Sequence, residues 1–358
     1  LLIWFIYSLL SITWSIDKWE AIRHVTFLFF SFSVISFSVV FFDSVDDLYL
    51  VMIIWLVILG VTLFIGISEA IDGYQLLDSR FTLSDITFSA IRPMAHFGNP
   101  NNFASFLTLS TPIVLSFFFF SRKSHRIFFL LIFLALLLLL ILTGSRLNYL
   151  ALLLIIVYFI VIAILSRRFK IELYILIIVS ILLLLVFRGR VFQEMSSLVY
   201  TFQSLMAEIA EPTESIGIRI NLIRNGFSFL FSTWGFGVGA GNFESWMQTR
   251  ALFSTMNILN AHNWYLEVLV NYGIFIFIGY LVFYWSVLKK TYQTLRTHWN
   301  DPKMRLIGVA ILGSLVGFLL ASMSPSSVIA FRPQWLIFAL GLSYINLGLD
   351  NSNQHSEE

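Results

Sequence analysis

The side chains best suited to proton transfer lie in the segment AHNWYLE at 261–267. His262 is of the residue type that changes charge near neutral pH, so it can act as a general base. Glu267 lies inside an apolar run, where a carboxylate needs a partner, and Asn263 stands at the start of that run. These three are candidates for catalysis and substrate binding. A histidine at a helix start can equally serve in capping or packing.

A second group of candidates consists of arginines in two long polar segments, 68–101 and 188–262, which contain seven arginines and no lysine. The planar guanidinium can bind phosphate through two parallel hydrogen bonds and stays charged at any relevant pH. The group therefore indicates an anionic ligand, with lipid-headgroup binding as the alternative role for each member. The seven are Arg80, Arg92, Arg188, Arg190, Arg219, Arg224 and Arg250. Arg219 and Arg224 would point about 140° apart on a helix, so one could face a site while the other supports structure.

Arg146 ends the segment TGSR at 143–146, which joins two apolar runs with almost no loop. Its place predicts a position at or just inside a membrane surface. An ionisable residue at that depth is costly, and is a candidate for function by default. Snorkelling of the side chain to the interface is the alternative.

Glycines alternate at 235, 237, 239 and 241. Such a run permits close backbone approach and unusual φ values. Gly237 and Gly239 could present their N–H groups to phosphate. The run lacks the lysine and the spacing of a P-loop, which argues against nucleotide binding.

Asparagines cluster in the segment GNPNN at 98–102, just before an apolar run. Asparagine followed by proline is typical of a turn and a helix N-cap. Capping accounts for one asparagine, whereas three suggest a polar pocket. Asn99 and Asn101 are therefore candidates for substrate binding.

The elements that position these residues are predicted to be membrane helices. Hydrophobic residues make up 58% of the 358-residue chain and charged residues 12%, against about 25% charged residues in soluble domains. Apolar runs lie at about 1–14, 25–42, 48–67, 102–120, 127–142, 147–165, 171–187, 263–288, 306–323 and 333–349. They predict an all-α polytopic membrane protein of about ten spans. The chain has no cysteine, which excludes disulfides and thiolate metal sites.

The orientation follows from the basic residues of the short loops. Eleven lie in the loops 121–126, 166–170 and 289–305, and four lie in the loops 15–24, 143–146 and 324–332. By the positive-inside rule the first set is cytoplasmic. The segment 68–101 and the large, partly helical loop 188–262 are then extracytoplasmic. Residues 1–349 are expected to form one transmembrane domain and 350–358 a cytoplasmic tail. Because Leu1 stands inside an apolar run, one or two preceding helices are expected.

These motifs, in this order, resemble those of the O-antigen ligase and O-antigen polymerase superfamily of bacterial membrane glycosyltransferases. The resemblance covers roughly 85–345. It rests on GNPN at 98–101, TGSR at 143–146, Arg219 leading to GVGAGNF at 237–243, and HNWYLE at 262–267 followed by Gly273.

The resemblance implies transfer of glycan from an undecaprenyl-diphosphate carrier on the outer face of the bacterial cytoplasmic membrane. It implies no metal and no cofactor. Arg146 and Arg219 match the positions that hold the diphosphate, and His262 matches the base acting on the acceptor hydroxyl. Arg224 fits the arginine spacing of the family. The expected partners are the lipid-linked donor, a glycan or lipid-glycan acceptor and membrane lipids, with no nucleic acid.

Two alternatives stay open at this point. A metal-dependent transferase would use acidic pairs, for which Asp17 and Glu20 are a weak candidate. A polysaccharide or lipid transporter, or a flippase, is the rival from another class, although paired halves and several acids deep in spans are absent from the sequence. The sequence does not distinguish a ligase from a polymerase.

Overall fold

The structure, a computed structural model, describes residues 1–72, 92–166 and 215–357, with scattered residues between 172 and 199. The described parts are helical. The helices are α1 Leu2–Ser11, α2 Lys18–Phe41, α3 Val45–Asp72, α4 Pro100–Phe120, α5 Lys123–Thr143, α6 Arg146–Ser166, α7 Ser215–Ser232, α8 Phe243–Arg250, α9 Trp264–Thr297, α10 Pro302–Ala321 and α11 Arg332–Glu357. A short 3₁₀ helix, Ala95–Phe97, precedes α4.

Among the described residues, seven helices are long and apolar enough to cross a membrane, namely α2–α6, α9 and α10. The chain is thus a polytopic α-helical membrane protein, as the composition predicts. The predicted run 1–14 corresponds to α1, whose ten residues are fewer than the about 20 that a span needs. The predicted run 171–187 lies largely outside the described residues.

Helix starts follow local sequence signals. Asn99 caps α4, because its side-chain oxygen accepts the N–H of Asn101, and Pro100 occupies the first turn. Asp301 caps α10 in the same way, with Pro302 next to it. In both cases the cap satisfies N–H groups that have no partner within the helix.

By its internal contacts the chain divides into two compact units. Within the described residues, the first comprises Leu1–Val34, Phe192–Ser286 and Pro325–Arg332. The second comprises Ile35–Val191, Val287–Ser324 and Pro333–Glu358. The expectation of a single domain over 1–349 stays a prediction.

In the second unit α4 is the central helix, and its residues from Phe103 to Phe119 are all buried. Polar side chains connect it to its neighbours, since the Ser314 hydroxyl donates to the Leu109 carbonyl at 2.8 Å and Trp55 Nε1 donates to Ser110 Oγ at 2.8 Å. Such hydrogen bonds and close packing, in place of a hydrophobic driving force, hold membrane helices together.

The second unit has two chemically different ends. At one end the Arg305 guanidinium lies 5.2 Å from the centre of the Phe120 ring, where α10 begins and α4 finishes. At the other end the hydroxyls of Ser145 and Ser324 are 2.8 Å apart. The basic turns after α4 and before α10 therefore lie at the end opposite to the TGSR junction, whereas the predicted basic loop at 166–170 lies largely outside the described residues.

In the first unit, helix α9 is broken at Gly273, which has a φ of 78° and a ψ of 175°. The glycine-rich segment 235–241 packs into this break. The Val238 N–H donates to the Val270 carbonyl at 2.8 Å, and the Ile274 N–H donates to the Gly235 carbonyl at 2.9 Å. Backbone groups that the break would leave unpaired are thus satisfied by the glycine-rich segment.

Candidate functional site

One hydrophobic cluster of the first unit supports most of the candidate residues. Its buried members come from α7, the glycine-rich segment, α8, the approach to α9 and α9 itself: Leu222, Phe229, Val238, Phe243, Trp246, Met247, Ala261, Leu266 and Val270. Ala261 belongs to the cluster, and Ile218 and Ile223 pack against it. In the sequence each of the three is next to a candidate residue. Arg219, Arg224 and His262 are therefore placed by adjacent core residues.

Arg224 is held at an exposed position on α7. Its guanidinium carbon lies 3.6 Å from the centre of the Phe253 ring, and its Nη1 donates to Asn221 Oδ1 at 3.2 Å. The backbone of Phe253 is itself fixed, because its N–H donates to Asn225 Oδ1 at 3.0 Å. A cation stacked on a ring in this way keeps most of its N–H groups for other partners.

Arg219 lies five residues earlier on α7 and is half-buried, whereas Arg224 is exposed. This difference in burial agrees with the expectation that the two side chains leave the helix in different directions. Their roles in binding substrate stay predictions.

His262 is half-buried and has a φ of +47°, which is uncommon for a residue with a side chain. Strained backbone of this kind is found preferentially at functional sites. Asn263 follows as the cap of α9, since its Oδ1 accepts the N–H of Tyr265 at 3.0 Å and that of Leu266 at 3.3 Å. Asn263 thus has a structural role whether or not it also contacts substrate.

Glu267 is buried, with 4% of its surface exposed, and it has the partner that a carboxylate at this depth requires. Its Oε1 accepts the Ser327 hydroxyl at 2.7 Å, and its Oε2 accepts the Val328 N–H at 3.0 Å. The carboxylate therefore ties the first turns of α9 to the segment between α10 and α11.

The alternating glycines have positive φ values at 235, 237, 239 and 241, which confirms the predicted unusual backbone. They also permit close approach, because a Cβ on Gly237 would lie 2.5 Å from the Gly273 nitrogen. The Gly239 N–H already donates to the Asn271 carbonyl at 3.0 Å. Phosphate binding by Gly237 and Gly239 stays a prediction. The N–H of Gly239 already has a partner within the protein.

In the second unit Arg146 begins α6, two residues after Gly144, the C-cap of α5. A Cβ on Gly144 would lie 3.2 Å from the guanidinium carbon of Arg92, so Arg92 packs against the TGSR junction. Two of the arginines singled out from the sequence are thus found at one junction. The contact between Arg92 and this junction could not be predicted, because Arg92 and Arg146 are 54 positions apart in the sequence.

Asn99 and Asn101 are connected at the start of α4. Asn99 is the cap of the helix, and its Oδ1 accepts the N–H of Asn101 at 2.8 Å. Nearby, Oε2 of the buried Glu69 accepts the N–H groups of Met94 at 2.9 Å and Ala95 at 2.8 Å. Sequence reasoning missed Glu69, since its partners lie across a long connection.

Partial burial lowers the pKa of His96 from its ordinary value.

A cavity of about 140 Å³ lies within the first unit. The residues that line it are Asp17, Glu20, His24, Gly241, Phe243, Glu244, Ser245, Gln248, Ala261, Glu267, Asn271, Ser326 and Ser327. Sequence reasoning named Glu267 as a site residue but missed His24, Glu244 and Asn271. A signal was present, because Asp17, Glu20 and His24 have the i, i+3, i+7 spacing of one helix face.

The fold and these residues define a multi-pass membrane protein with arginines, a histidine and a polar cavity at its candidate sites. Comparison with known proteins gives the class. Residues 128–281 match the family model described as O-antigen ligase. The matched range contains Arg146, Arg219 and His262, whereas Asn99 lies before it.

A relative is similar along nearly the whole chain. Teichuronic acid biosynthesis protein TuaE of Bacillus subtilis (strain 168) is 30% identical over 359 residues, which cover 99% of this chain and 72% of that protein. The chain belongs to the O-antigen ligase family. It is a membrane protein of cell-surface polysaccharide biosynthesis.

Proposed function

We propose that the chain is a metal-independent glycosyltransferase. In this proposal it transfers or polymerises glycan from an undecaprenyl-diphosphate carrier, on the outer face of the cytoplasmic membrane. The observation that supports it most is the hydrophobic cluster of the first unit, which fixes Arg219, Arg224 and His262 from adjacent positions. Cationic groups for a diphosphate and a base for a hydroxyl are the two requirements of this reaction.

On the donor side, the bond between the anomeric carbon and the diphosphate oxygen breaks, and the oxygen keeps the electron pair. Negative charge grows on the leaving group, so fixed guanidinium groups stabilise the transition state. Arg219 and Arg146 are assigned this role. Arg224, stacked on Phe253, is assigned to binding the carrier.

On the acceptor side, a sugar hydroxyl is a weak nucleophile and gains from a base. His262 takes the hydroxyl proton while the oxygen forms the new bond to the anomeric carbon. The strained backbone at His262 and the cap at Asn263 hold the imidazole at the start of α9, in the segment predicted to be extracytoplasmic. Glu267 acts one turn further on by fixing the segment at 327–328.

Purified full-length protein in liposomes, supplied with lipid-linked glycan isolated from the native bacterium, tests the proposal. We expect longer glycan or a glycan–acceptor conjugate as product, and no loss of activity in EDTA. Loss of activity that Mg²⁺ or Mn²⁺ restores would favour the metal-dependent alternative at Asp17 and Glu20. Movement of the donor between leaflets with no new glycosidic bond would identify a flippase instead.

A further inference from the structure

The mechanism above uses one residue of the first unit's cavity, Glu267, and only to fix the segment at 327–328. The chemistry of the cavity is unlike that of a diphosphate site. Four of its lining residues are acidic, Asp17, Glu20, Glu244 and Glu267, and among the residues that the structure describes no lysine or arginine lines it. We propose that this cavity binds one uncharged sugar unit of the acceptor glycan. The inference rests on the proposed function only in assigning this sugar to the acceptor glycan. Binding of the sugar can be measured without turnover.

Three of the four carboxylates of the cavity are held by hydrogen bonds or an ion pair, namely those of Asp17, Glu20 and Glu267. Asp17 uses Oδ1 to accept the N–H groups of Trp19 at 2.9 Å and Glu20 at 3.0 Å. Glu20 pairs with Arg23 at 2.8 Å, and Glu267 is held by the segment at 327–328. Each carboxylate oxygen has more than one lone pair, so these groups can also accept hydrogen bonds from sugar hydroxyls.

His24 provides an independent indication of a ligand. It lines the cavity and is only 8% exposed, yet its buried Nδ1 has no hydrogen-bond partner among the described residues. The ring is fixed by Gly241, where a Cβ would lie 2.5 Å from His24 Cδ2. Leaving a buried polar atom unsatisfied is unfavourable, so the imidazole gains a hydrogen bond if a ligand hydroxyl reaches Nδ1.

Size and charge restrict the ligand further. A volume of about 140 Å³ is below the roughly 300–1,000 Å³ of pockets for drug-sized ligands, so one sugar unit fits better than a chain. The acidic wall disfavours phosphates and uronates by like-charge repulsion. Among the described residues, no group of three or more His, Asp or Glu side chains has the geometry to hold a metal ion.

The position of the cavity relates it to the acceptor. Ala261 lines it, and the next residue along the chain is His262, the candidate base. A sugar that contacts Ala261 is therefore bound against the residue that precedes, in the sequence, the one that the proposed function assigns to the acceptor hydroxyl, although His262 is not among the residues that line the cavity.

Saturation-transfer NMR on the full-length chain in lipid nanodiscs can test the inference with two probes, N-acetylglucosamine and glucuronate. We expect a signal from the uncharged sugar and a signal about tenfold weaker from glucuronate. His24→Phe should weaken binding of the uncharged sugar about tenfold, the effect of one lost hydrogen bond to a buried group. His125→Phe, at an exposed histidine, is the matched control and should not change binding.

A second variant keeps the inference testable if His24→Phe fails to fold. Glu244→Gln, at an exposed position, removes one negative charge and should raise glucuronate binding relative to N-acetylglucosamine. Equal binding of both sugars to the unaltered protein, or no binding of either, would overturn the inference. So would displacement of the sugar by Ca²⁺ or Mg²⁺, which would identify a cation site.

The failure of this inference can be told from the failure of the proposed function. Arg219→Lys should lose glycan transfer while it keeps the sugar signal. A protein that binds N-acetylglucosamine through His24 but makes no glycosidic bond supports the sugar site and contradicts the transferase.

Discussion

Glu267 and Val328 are joined by a hydrogen bond of 3.0 Å between residues 61 positions apart in the sequence. Together with the Ser327 hydroxyl, this bond makes Glu267 the attachment point for the segment between α10 and α11. Glu267→Ala removes the carboxylate that accepts hydrogen bonds from Ser327 and Val328, so we expect the free energy of unfolding to fall by about 2–4 kcal/mol. Thermal unfolding in detergent measures this.

Glu20→Ala is the matched control for Glu267→Ala, because both glutamates line one cavity. Glu20 is half-buried and pairs with the exposed Arg23, and an ion pair with one exposed partner should contribute at most about 1 kcal/mol. Equal destabilisation by the two variants would contradict the structural role given to Glu267.

Gly237→Ala should destabilise the chain. The new Cβ would lie 2.5 Å from the Gly273 nitrogen at a φ of +83°, and the left-handed backbone alone costs about 1–2 kcal/mol. Gly279→Ala is the control on α9, since no atom lies within 4 Å of its added Cβ. We expect a lower Tm for the first variant and an unchanged or slightly higher Tm for the second. Similar Tm values would argue against tight packing at the break.

Arg219→Lys and Arg146→Lys should each lower glycan transfer by about 10- to 100-fold, because an ammonium group cannot reproduce two parallel hydrogen bonds to phosphate. Rates of transfer in proteoliposomes measure this. Arg250→Lys is the control, since Arg250 is exposed and stacks on Trp246 at 4.1 Å, and it should stay active. Full activity of both Lys variants would reduce Arg146 and Arg219 to roles in membrane anchoring.

His262→Ala should lower turnover by about 10²–10⁴-fold, the usual contribution of a general base, while binding of the lipid-linked donor survives. The base must be neutral, so activity of the unaltered protein should rise with pH. His96→Ala is the comparison. Because burial lowers the pKa of His96, a profile governed by His96 would rise at lower pH than that of an ordinary histidine. Loss of turnover in His96→Ala with near-normal turnover in His262→Ala would move the base to His96.

The predicted orientation can be tested by cysteine labelling, since the chain contains no cysteine of its own. Leu252 is 70% exposed, and Asn300 is exposed in the turn between α9 and α10. A membrane-impermeant maleimide should label Leu252→Cys in intact cells and Asn300→Cys only in permeabilised ones. The reverse pattern would place the candidate site on the cytoplasmic side.

The sequence predicted the features that depend on neighbouring residues. Helical spans follow from runs of apolar residues, the Asn99 cap follows from the residues around Pro100, and the positive φ values follow from the glycines. The loop predicted at 289–305 was too long, because α9 continues to Thr297 and α10 begins at Pro302. Lys289 and Lys290 lie on the last turns of α9, where the hydropathy had already fallen.

Features that depend on distant residues could not be predicted in this way. The need for a partner of Glu267 was evident from its apolar surroundings, but the partner comes from 60 positions further on. The contact between His24 and Gly241 could not be predicted, since nothing near His24 in the sequence indicates it. Only the spacing of Asp17, Glu20 and His24 gave a local sign of a shared face.

The break in α9 at Gly273 has a consequence for the synthesis of the protein itself and for its insertion into the membrane. During synthesis a helix interrupted in this way would enter the membrane with unpaired N–H and C=O groups, each costly in lipid. The chain is made from its N-terminus, so residues 235–241 leave the ribosome before α9 does. The partners of the broken turn are thus already made when α9 is inserted. A circular permutant that places 235–241 after α9 should insert α9 less efficiently, even though its finished contacts would be the same.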